Sequence, residues 1–473
     1  MAQELVAFRL YAPYFGYSMY VWGSMISVVM AALALGYGIG GWGADRSETD
    51  LPIYVTIAGS AVYQLGVLFT FHWMLPIFAR EEDFTGTVLA TLVVFAPSMT
   101  AMAAVSPFII RLMAQSGHIG SIAGKIYALS TVGSIGGILI TSFFLVPRFG
   151  TRKTLEVIFV ASALTGVAGL ARKTAVTVLA FVVILATARI VPVATWPAST
   201  IWAEESLYNL VRVVRSGDRL ILKLNDEGGV HTIRNESTGW TGQYYDDFAL
   251  GPLLVPAHRL LVLGMAGGGS IVATRSTAPE VEIDAVEIDA KVVEAATRFF
   301  GMNADDKSLH IHIADARPWL AKSREKYDVV HVDLYQGGPY IPFYLITVEF
   351  FQTIRAHMSD DGLLMMNLFD MSKDHELLLS VVATLKTVFP SVAVLPVGKR
   401  NFMVLGFSRE TPITEIRGRL DSFAGSPVVK RMARIAKERV TELDVPPETI
   451  VFTDDFSPIE RMTRRMLSGG STR

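Results

Sequence analysis

The stretch RLLVLGMAGGGSIVATRSTAPEVEIDAVEID, residues Arg259–Asp289, is the most informative part of the C-terminal half of the chain. It predicts a strand, a glycine turn, the start of a helix and a second strand that ends in acidic residues. Glycines at such a turn let the backbone approach a ligand closely, and an acid at the end of the second strand can accept hydrogen bonds from a ribose diol. The stretch therefore predicts one half of a nucleotide-binding site.

Strands and helices continue to alternate after this stretch. The predicted strands are Leu260–Gly264, Val281–Glu287, Leu309–Ala314, Asp328–Asp333, Gly362–Asn367, Val392–Pro396 and Phe402–Gly406, and the predicted helices are Ala290–Phe300, Ala316–Lys322, Val348–His357 and Asp374–Val388. Such alternation is typical of a doubly wound α/β domain with a largely parallel sheet. We predict this Rossmann-like domain over residues 251–473.

A small β-hairpin domain is predicted before it, over residues 201–250. The segment Ala203–Asn235 alternates apolar and polar residues, with turn-forming residues at Ser216–Asp218 and Asn225–Gly229. Alternation with period two and short turns indicates antiparallel strands.

The N-terminal part, residues 1–200, has the composition of a membrane protein. The whole chain is 51% hydrophobic with a mean hydropathy of +0.40, yet residues 1–203 hold only 11 of its 42 Lys and Arg and 8 of its 44 Asp and Glu. A span needs about 20 apolar residues. The candidate runs are Leu10–Ala44, Leu51–Ala79, Phe84–Ile110, Ile126–Pro147, Val157–Ala171 and Thr174–Ala188. We expect an all-α transmembrane bundle of about six spans in the lipid bilayer of the inner membrane, with the soluble part in the cytoplasm.

Charge and cysteine content exclude several function classes. The net charge of −2 and the lack of a basic patch argue against nucleic-acid binding. The chain has no cysteine, which excludes disulfides and thiol catalysis. His310 and His312 alternate on one strand and could bind a metal, but no third ligand stands at a recognisable spacing, so a partly exposed strand is the preferred interpretation and no metal is predicted.

The ends of four predicted strands carry the candidate site. Glu287 ends the second strand and can bind a ribose, while Asp315, next to the backbone amide of Ala316, can hold an adenine. Asp333 ends the fourth strand, where we expect its side chain to lie nearest to the reacting group of a ligand. The turn after the first strand supplies Gly264, Gly267, Gly268 and Gly269. The acids of the third and fourth strands suit an adenosyl donor better than a nicotinamide dinucleotide.

Several motifs extend this pattern over residues 205–460. They are GQYYDDF, VLGMAGGG, VEIDAKVVEAATRFF, ADARPWL, YDVVHVDLY, IPFYLITVEFF and TDDFSPIE. With them the soluble part resembles the spermidine synthases, and the whole chain resembles their membrane-fused bacterial relatives. The resemblance implies a class I methyltransferase-like fold and an aminopropyl transfer from decarboxylated S-adenosylmethionine to an amine.

The same resemblance implies roles for individual residues. Asp333 is the expected base, which takes a proton from the attacking amine. Tyr244 or Tyr245 is expected to orient that amine, with Asp246 as the neighbouring substrate-binding acid.

The sequence departs from the family at two acidic positions. Gly267 and Gln336 stand where the family has acids that bind ammonium groups, so a dicationic amine would lose charge-assisted partners. Asp454 and Asp455, with Glu460, could compensate by folding over the site. Alternatively, Asp454 or Asp455 caps a helix at Pro458–Leu467.

Three functions remain open. The first is a membrane-anchored aminopropyltransferase with a small-molecule amine as acceptor, and a homodimer is expected by analogy. The second is a methyltransferase that uses S-adenosylmethionine on the same fold. The third is a polyamine transporter or sensor with a degenerate soluble domain, which requires a polar pathway through the spans. His331, two residues before Asp333, is expected to be a strand histidine with satisfied hydrogen bonds.

Overall fold

The N-terminal part of the chain is helical in the computed structural model, which describes residues 1–15, 19–79, 85–114, 119–170, 196–225, 229–303, 305–422 and 425–467. Its helices are α1 (Ala2–Phe15), α2 (Met19–Ala44), α3 (Leu51–Phe78), α4 (Thr85–Val94), α5 (Ala96–Met113), α6 (Ile119–Ile140), which continues as a π-helical turn (Thr141–Leu145), and α7 (Val146–Leu170). This confirms the prediction of an all-α N-terminal part.

Five of these helical segments are long and apolar enough to cross a membrane. They are Met19–Ala44, Leu51–Phe78, Ala96–Met113, Ile119–Leu145 and Arg148–Leu170. Helix α1 has 14 residues, which at about 1.5 Å per residue is too short for a hydrocarbon core of roughly 30 Å. The sixth predicted run, Thr174–Ala188, lies outside the described residues.

The predicted run Phe84–Ile110 is divided into two helices at Phe95. Pro97 has no backbone N–H, so it cannot continue the hydrogen bonding of α4, but it is tolerated in the first turn of α5. The Val93 carbonyl, four residues before this proline, instead accepts a hydrogen bond from the Tyr63 hydroxyl. The break therefore has a local cause and a local compensation.

The chain divides into two compact units, Met1–Pro197 and Ala198–Arg473. The second unit begins with an antiparallel sheet of four strands in chain order. The strands are β1 (Thr200–Glu205), β2 (Leu210–Ser216), β3 (Arg219–Leu224) and β4 (Val230–Asn235). Its apolar face, which includes Val211, Val213 and Leu222, packs on Val292 and Ala295 of the helix that follows Asp289.

The remaining elements of the second unit form a seven-stranded mixed sheet flanked by helices. They are a 3-10 segment (Tyr244–Leu250), α8 (Gly251–Leu254), β5 (Arg259–Leu263), α9 (Gly269–Arg275), β6 (Glu282–Glu287), α10 (Ala290–Phe299), β7 (Leu309–Ile313), α11 (Ala316–Leu320), β8 (Tyr327–Val332), a 3-10 turn (Phe343–Leu345), α12 (Val348–Ala356), β9 (Met358–Phe369), α13 (Glu376–Lys386), β10 (Ser391–Val397), β11 (Asn401–Phe407), α14 (Ile413–Asp421), α15 (Pro427–Arg439) and α16 (Ile459–Leu467).

The strand order in this sheet is β10-β11-β9-β8-β5-β6-β7. Strands β5 to β9 are parallel to their neighbours, while β11 is antiparallel to β9 and β10 is antiparallel to β11. The order is that of a Rossmann-like, methyltransferase-like fold, as the sequence predicts.

Both faces of the large sheet are buried, which explains its nearly continuous apolar strands. In β5, Leu260 and Val262 enter one core, and Leu261 and Leu263 enter the other. All four side chains have no exposed surface. The functional groups are therefore confined to the ends of the strands and to the segments that follow them.

Candidate active site

The carboxyl ends of β8, β5, β6 and β7 lie side by side at one edge of the large sheet. Asp333 donates its backbone N–H to the last carbonyl of β5 at 3.0 Å, and Gly264 donates to the penultimate carbonyl of β6 at 3.0 Å. Ala314 continues the series with a 3.0 Å hydrogen bond to the Glu287 carbonyl. From β5 the chain adds β6 and β7 on one side of the sheet, and it then returns to add β8 on the other side of β5. Ligands of doubly wound sheets bind at such a switch point, here between β5 and β8.

The glycine turn after β5 is packed against the end of β8. Gly264 has a φ of 84°, and a Cβ at this position would lie 2.3 Å from the Asp333 carbonyl oxygen. Only glycine fits this conformation and this contact. Gly268 has a φ of 81° and precedes α9, which begins at Gly269. The turn therefore leads directly into the N-terminus of a helix.

Gly267 lies on the side of the turn that faces the small sheet. Its N–H donates to Thr232 Oγ1 at 2.9 Å, and a Cβ at Gly267 would lie 2.8 Å from Thr232 Cγ2. Thr232 is only 2% exposed. The threonine thus fills the space that an acidic side chain at this position would require.

Glu287 is a buried carboxylate that is held by backbone groups. Its Oε2 accepts the N–H of Ala266 at 3.0 Å, and its Oε1 accepts the N–H of Asp289 at 3.1 Å. Burial raises the pKa of Glu287 to about 7, although these hydrogen bonds oppose the rise. The carboxylate is fixed beside the glycine turn, where it can accept further hydrogen bonds from a ligand.

Asp315 follows β7 and caps α11. Its Oδ1 accepts the N–H of Arg317 at 3.0 Å, and its Oδ2 accepts the Tyr344 hydroxyl at 2.9 Å. The next residue, Ala316, is 5% exposed. Because β7 is an edge strand of the sheet, Asp315 lies three strands away from Asp333.

Asp333 is held by side chains rather than by backbone. Its Oδ2 accepts the Tyr244 hydroxyl at 2.9 Å, and its Oδ1 accepts the Asn367 amide at 2.9 Å. Burial raises the pKa of Asp333 to about 6, against the opposing effect of the two hydrogen bonds. A carboxylate with a raised pKa is a stronger base than an ordinary aspartate, and it remains largely ionised at neutral pH.

The two adjacent tyrosines point to different partners. Their rings pack together with centroids 4.1 Å apart, but only Tyr244 reaches Asp333, while the Tyr245 hydroxyl donates to the Val230 carbonyl at 3.1 Å. Burial and the nearby Asp333 carboxylate raise the pKa of Tyr244 well above its usual range, so its phenol stays neutral. Asp246 accepts hydrogen bonds from the backbone of the loop before it, including the N–H of Gly242 at 2.7 Å.

The part of the chain that contains these strand ends is similar to a known protein family. Residues 257–410 match the family described as spermine/spermidine synthase domain. The C-terminal part of the chain carries a spermine/spermidine synthase domain. The match begins two residues before β5 and ends after β11.

Two curated relatives and one solved structure illustrate the similarity. A probable polyamine aminopropyl transferase of Bifidobacterium longum is 35% identical over 195 residues, which cover 40% of this chain and 43% of that protein. The human eEF1A lysine and N-terminal methyltransferase is 33% identical over 142 residues, which cover 28% of this chain and 20% of that protein. The chain thus spans less than half the length of either relative. The crystal structure of a probable spermidine synthase from Corynebacterium glutamicum is 21% identical with a TM-score of 0.41, and the alignment covers 53% of this chain and 100% of that one.

The acidic segment TDDFSPIE, residues 453–460, contacts the synthase domain at α11. Asp454 accepts hydrogen bonds from both terminal nitrogens of Arg317, at 2.7 and 2.5 Å, and from the Thr347 hydroxyl at 2.7 Å. These bonds bring Asp454 near Asp315 rather than near Asp333, and they replace the alternative role of Asp454 as a helix cap. Asp455 is exposed.

Gln336 lies in the loop that follows β8. Its backbone N–H donates to the Tyr340 carbonyl at 2.9 Å. The residue is half-buried, three positions beyond Asp333.

Sequence reasoning missed two side chains near Asp333. Asn367 binds the carboxylate directly, and Tyr335 binds the backbone of β9 on either side of Leu368, by donating to the Asn367 carbonyl at 3.3 Å and accepting the Phe369 N–H at 2.8 Å. The signal for Asn367 was present, because it is the one polar residue in the buried run LLMMNL. A polar side chain within a buried strand requires a partner.

His331 differs from its predicted state. The residue has no exposed surface. Neither ring nitrogen has a hydrogen-bond partner among the described residues. The expectation of satisfied hydrogen bonds is therefore wrong. Burial lowers the pKa of His331 to about 3, so the ring is neutral where it packs on Phe248, with centroids 4.3 Å apart.

Proposed function

We propose that this protein is a membrane-anchored aminopropyltransferase of spermidine synthase type. It transfers an aminopropyl group from decarboxylated S-adenosylmethionine to a small-molecule amine. The proposal is carried by one observation, the half-buried Asp333 carboxylate that Tyr244 and Asn367 hold at the carboxyl end of β8.

The chemistry requires a base at this point. The lone pair of a neutral amine nitrogen attacks the propyl carbon next to the donor's sulfonium, a C–N bond forms, and the C–S bond breaks with its electron pair going to sulfur. Methylthioadenosine leaves, and the proton of the alkylated nitrogen passes to Asp333. A carboxylate with a pKa of about 6 can accept this proton at neutral pH. The Tyr244 phenol, which remains protonated, orients the carboxylate and the acceptor.

The neighbouring strand ends support an adenosyl donor. Glu287 would accept hydrogen bonds from the ribose hydroxyls, and Asp315 with the backbone of Ala316 would bind the adenine. The glycine turn Gly264–Gly269 lets the donor approach the backbone between them. Asp246, Gln336 and Asp455 remain proposed contributors to acceptor binding, whereas Asp454 is paired with Arg317 near Asp315.

Five long apolar helices support attachment to a membrane. We propose a multi-pass protein of the inner membrane with the synthase domain on the cytoplasmic side. A homodimer is proposed by analogy with the family.

A second candidate is a methyltransferase that uses S-adenosylmethionine itself. The space beside Gly267 is filled by Thr232 rather than by an acid, so the chain lacks a carboxylate there that would bind the amine of a decarboxylated donor or repel the carboxylate of an intact one. A relative named as a methyltransferase is also 33% identical over its matched region.

The reaction products distinguish the two functions. We would incubate the full chain, purified in detergent, with each donor and a panel of diamines and polyamines, and identify the nucleoside product by mass spectrometry. Methylthioadenosine that requires an amine and is lost in Asp333→Asn is the expected result. The exposed Asp444→Asn is the matched control. S-adenosylhomocysteine as the product would refute the aminopropyl transfer.

A further inference from the structure

Asn367, which binds Asp333, is itself bound by a residue of the next strand. The Asn401 amide of β11 donates from Nδ2 to Asn367 Oδ1 at 2.8 Å. Asn367 donates from its own Nδ2 to Asp333 Oδ1 at 2.9 Å. Two amides therefore form a chain of hydrogen bonds that runs from β11 through Asn367 of β9 to the carboxylate.

We propose that Asn401 is a positioning residue, which fixes the amide of Asn367 so that its NH2 group, and not its oxygen, faces Asp333. The effect of this orientation on catalysis rests on the proposed function, since it assumes that Asp333 acts as the base. The orientation itself is independent of that function.

The need for such a residue follows from the shape of the amide. The oxygen and the NH2 group of asparagine are nearly equal in size, so packing alone does not select one orientation, and the hydrogen-bond network must do so. A donor beside Asn367 Oδ1 selects the observed one. The reverse orientation would place Asn367 Oδ1 against the Asp333 carboxylate, two acceptors facing each other.

The surroundings make this selection effective. Asn367 is 2% exposed, and its register partner across β9 and β11 is Met403, which is fully buried. Water therefore cannot replace a lost partner of Asn367. Burying an amide among apolar side chains is unfavourable unless its groups are paired, so Asn367 depends on the hydrogen bonds that Asn401 and Asp333 provide.

The orientation acts on the protonation of Asp333. An N–H donor stabilises the ionised carboxylate and opposes the effect of burial. The other titratable groups that face Asp333 are Tyr244 and Tyr245 from the 3-10 segment and Tyr335 from its own loop, and burial raises the pKa of all three tyrosines. Beyond Tyr335 lies Asp370, which also acts on that tyrosine. These phenols stay neutral between pH 5 and about 9, so among Asp333 and the three tyrosines only Asp333 titrates in that range.

The decisive variant is Asn401→Asp. The new carboxylate cannot donate, so it would accept from Asn367 Nδ2 and turn the amide oxygen toward Asp333. We expect the pKa of Asp333 to rise by about one to two pH units, the worth of one hydrogen bond to a charged group. The readout is the infrared carbonyl band of the protonated carboxyl, identified as the band that Asp333→Asn removes, and titrated in the full chain in detergent. The acid limb of the kcat profile should move by the same amount.

Two comparisons separate orientation from added charge. Asn235→Asp is the matched control, because Asn235 Oδ1 only accepts hydrogen bonds, from Ser237 and Thr238. In an Asn367→Leu background there is no amide to turn, so Asn401→Asp should shift the band by less than half as much. An equal shift in both backgrounds would mean that charge alone acts, and the proposal would be wrong.

A second variant covers a failure of the first to fold. Asn401→Ala removes the donor without adding charge, and we expect a smaller upward shift, about half a pH unit. No shift in this variant would overturn the positioning role. If Asp333→Asn retained normal turnover, the base assignment would fail, yet the infrared titration would still decide whether Asn401 orients Asn367.

Discussion

Glu287 is a buried carboxylate and Asp333 a half-buried one, two strands apart in the sheet. They are held by different kinds of hydrogen-bond donor. Glu287 accepts hydrogen bonds from the backbone amides of Ala266 and Asp289, whereas Asp333 accepts from the side chains of Tyr244 and Asn367. A backbone donor is fixed by the fold and makes a rigid acceptor suited to binding. Side-chain donors can be tuned by their own neighbours, which suits a group that must gain and lose a proton.

The largest expected effect is that of Asp333→Asn on turnover. The amide cannot take the proton of the amine, and general base catalysis contributes about 10²- to 10⁴-fold. We expect kcat to fall by that factor while the donor dissociation constant changes less than about threefold, because the base acts on the acceptor. Isothermal titration with donor and steady-state kinetics check both values. Equal losses in binding and turnover would remove the distinction between the two carboxylates.

Glu287→Gln should have the complementary effect. The amide keeps the shape but loses the charge-assisted hydrogen bonds to the ribose, and its NH2 group faces the backbone N–H of Ala266 or Asp289. Donor affinity should therefore fall by about 10- to 100-fold. At saturating donor, kcat should change little. The same titration and kinetics measure this, and an unchanged donor affinity would contradict the ribose role.

The pH dependence separates the two groups in the unmodified protein. The base must be unprotonated, so kcat should fall as the pH falls through about 6, the pKa of Asp333. Glu287 must be ionised to accept hydrogen bonds from two ribose hydroxyls, so donor affinity should fall as the pH falls through about 7. Profiles of kcat and of donor binding from pH 5 to 9 test this. A single shared midpoint would indicate that the two carboxylates titrate as one system.

The smallest effect is expected at the turn that supports Glu287. Gly267→Ala would push a methyl group to within 2.8 Å of Thr232, which should lower the free energy of unfolding by about 1–3 kcal/mol and weaken donor binding more than kcat. Thermal unfolding and donor titration measure both. Gly418→Ala in α14 is the control, because a Cβ there meets nothing within 4 Å, and it should be neutral or slightly stabilising.

Most of the fold was predictable because strand periodicity is a local property. The predicted strand Leu260–Gly264 and helix Ala290–Phe300 differ by only one or two residues from β5 and α10. The division of the run Phe84–Ile110 was not predicted, although Pro97 signals it, because hydropathy sums over such a break. The alternation of strands and helices predicted a largely parallel sheet, but not the order of its strands.

The partners of the site residues were much less predictable. Strand ends identified Glu287 and Asp333, since chain position places them at one edge of the sheet. The contact of Asn367 with Asp333 joins residues 34 positions apart, and Thr232 meets Gly267 from a different sheet. Such pairings depend on tertiary packing, which a pattern of residue types does not contain.

The hydrogen bonds that join the strand ends also set a length scale for the substrate. Neighbouring strands stand about 4.8 Å apart, so the three steps from β8 to β7 separate Asp333 from Asp315 by roughly 14 Å. Under the proposed function, this distance separates the base, Asp333, from the aspartate that would bind the adenine, Asp315. Under that function, a donor analogue with one carbon inserted between ribose and sulfonium should still bind, but its reactive carbon would miss the amine nitrogen that Asp333 deprotonates.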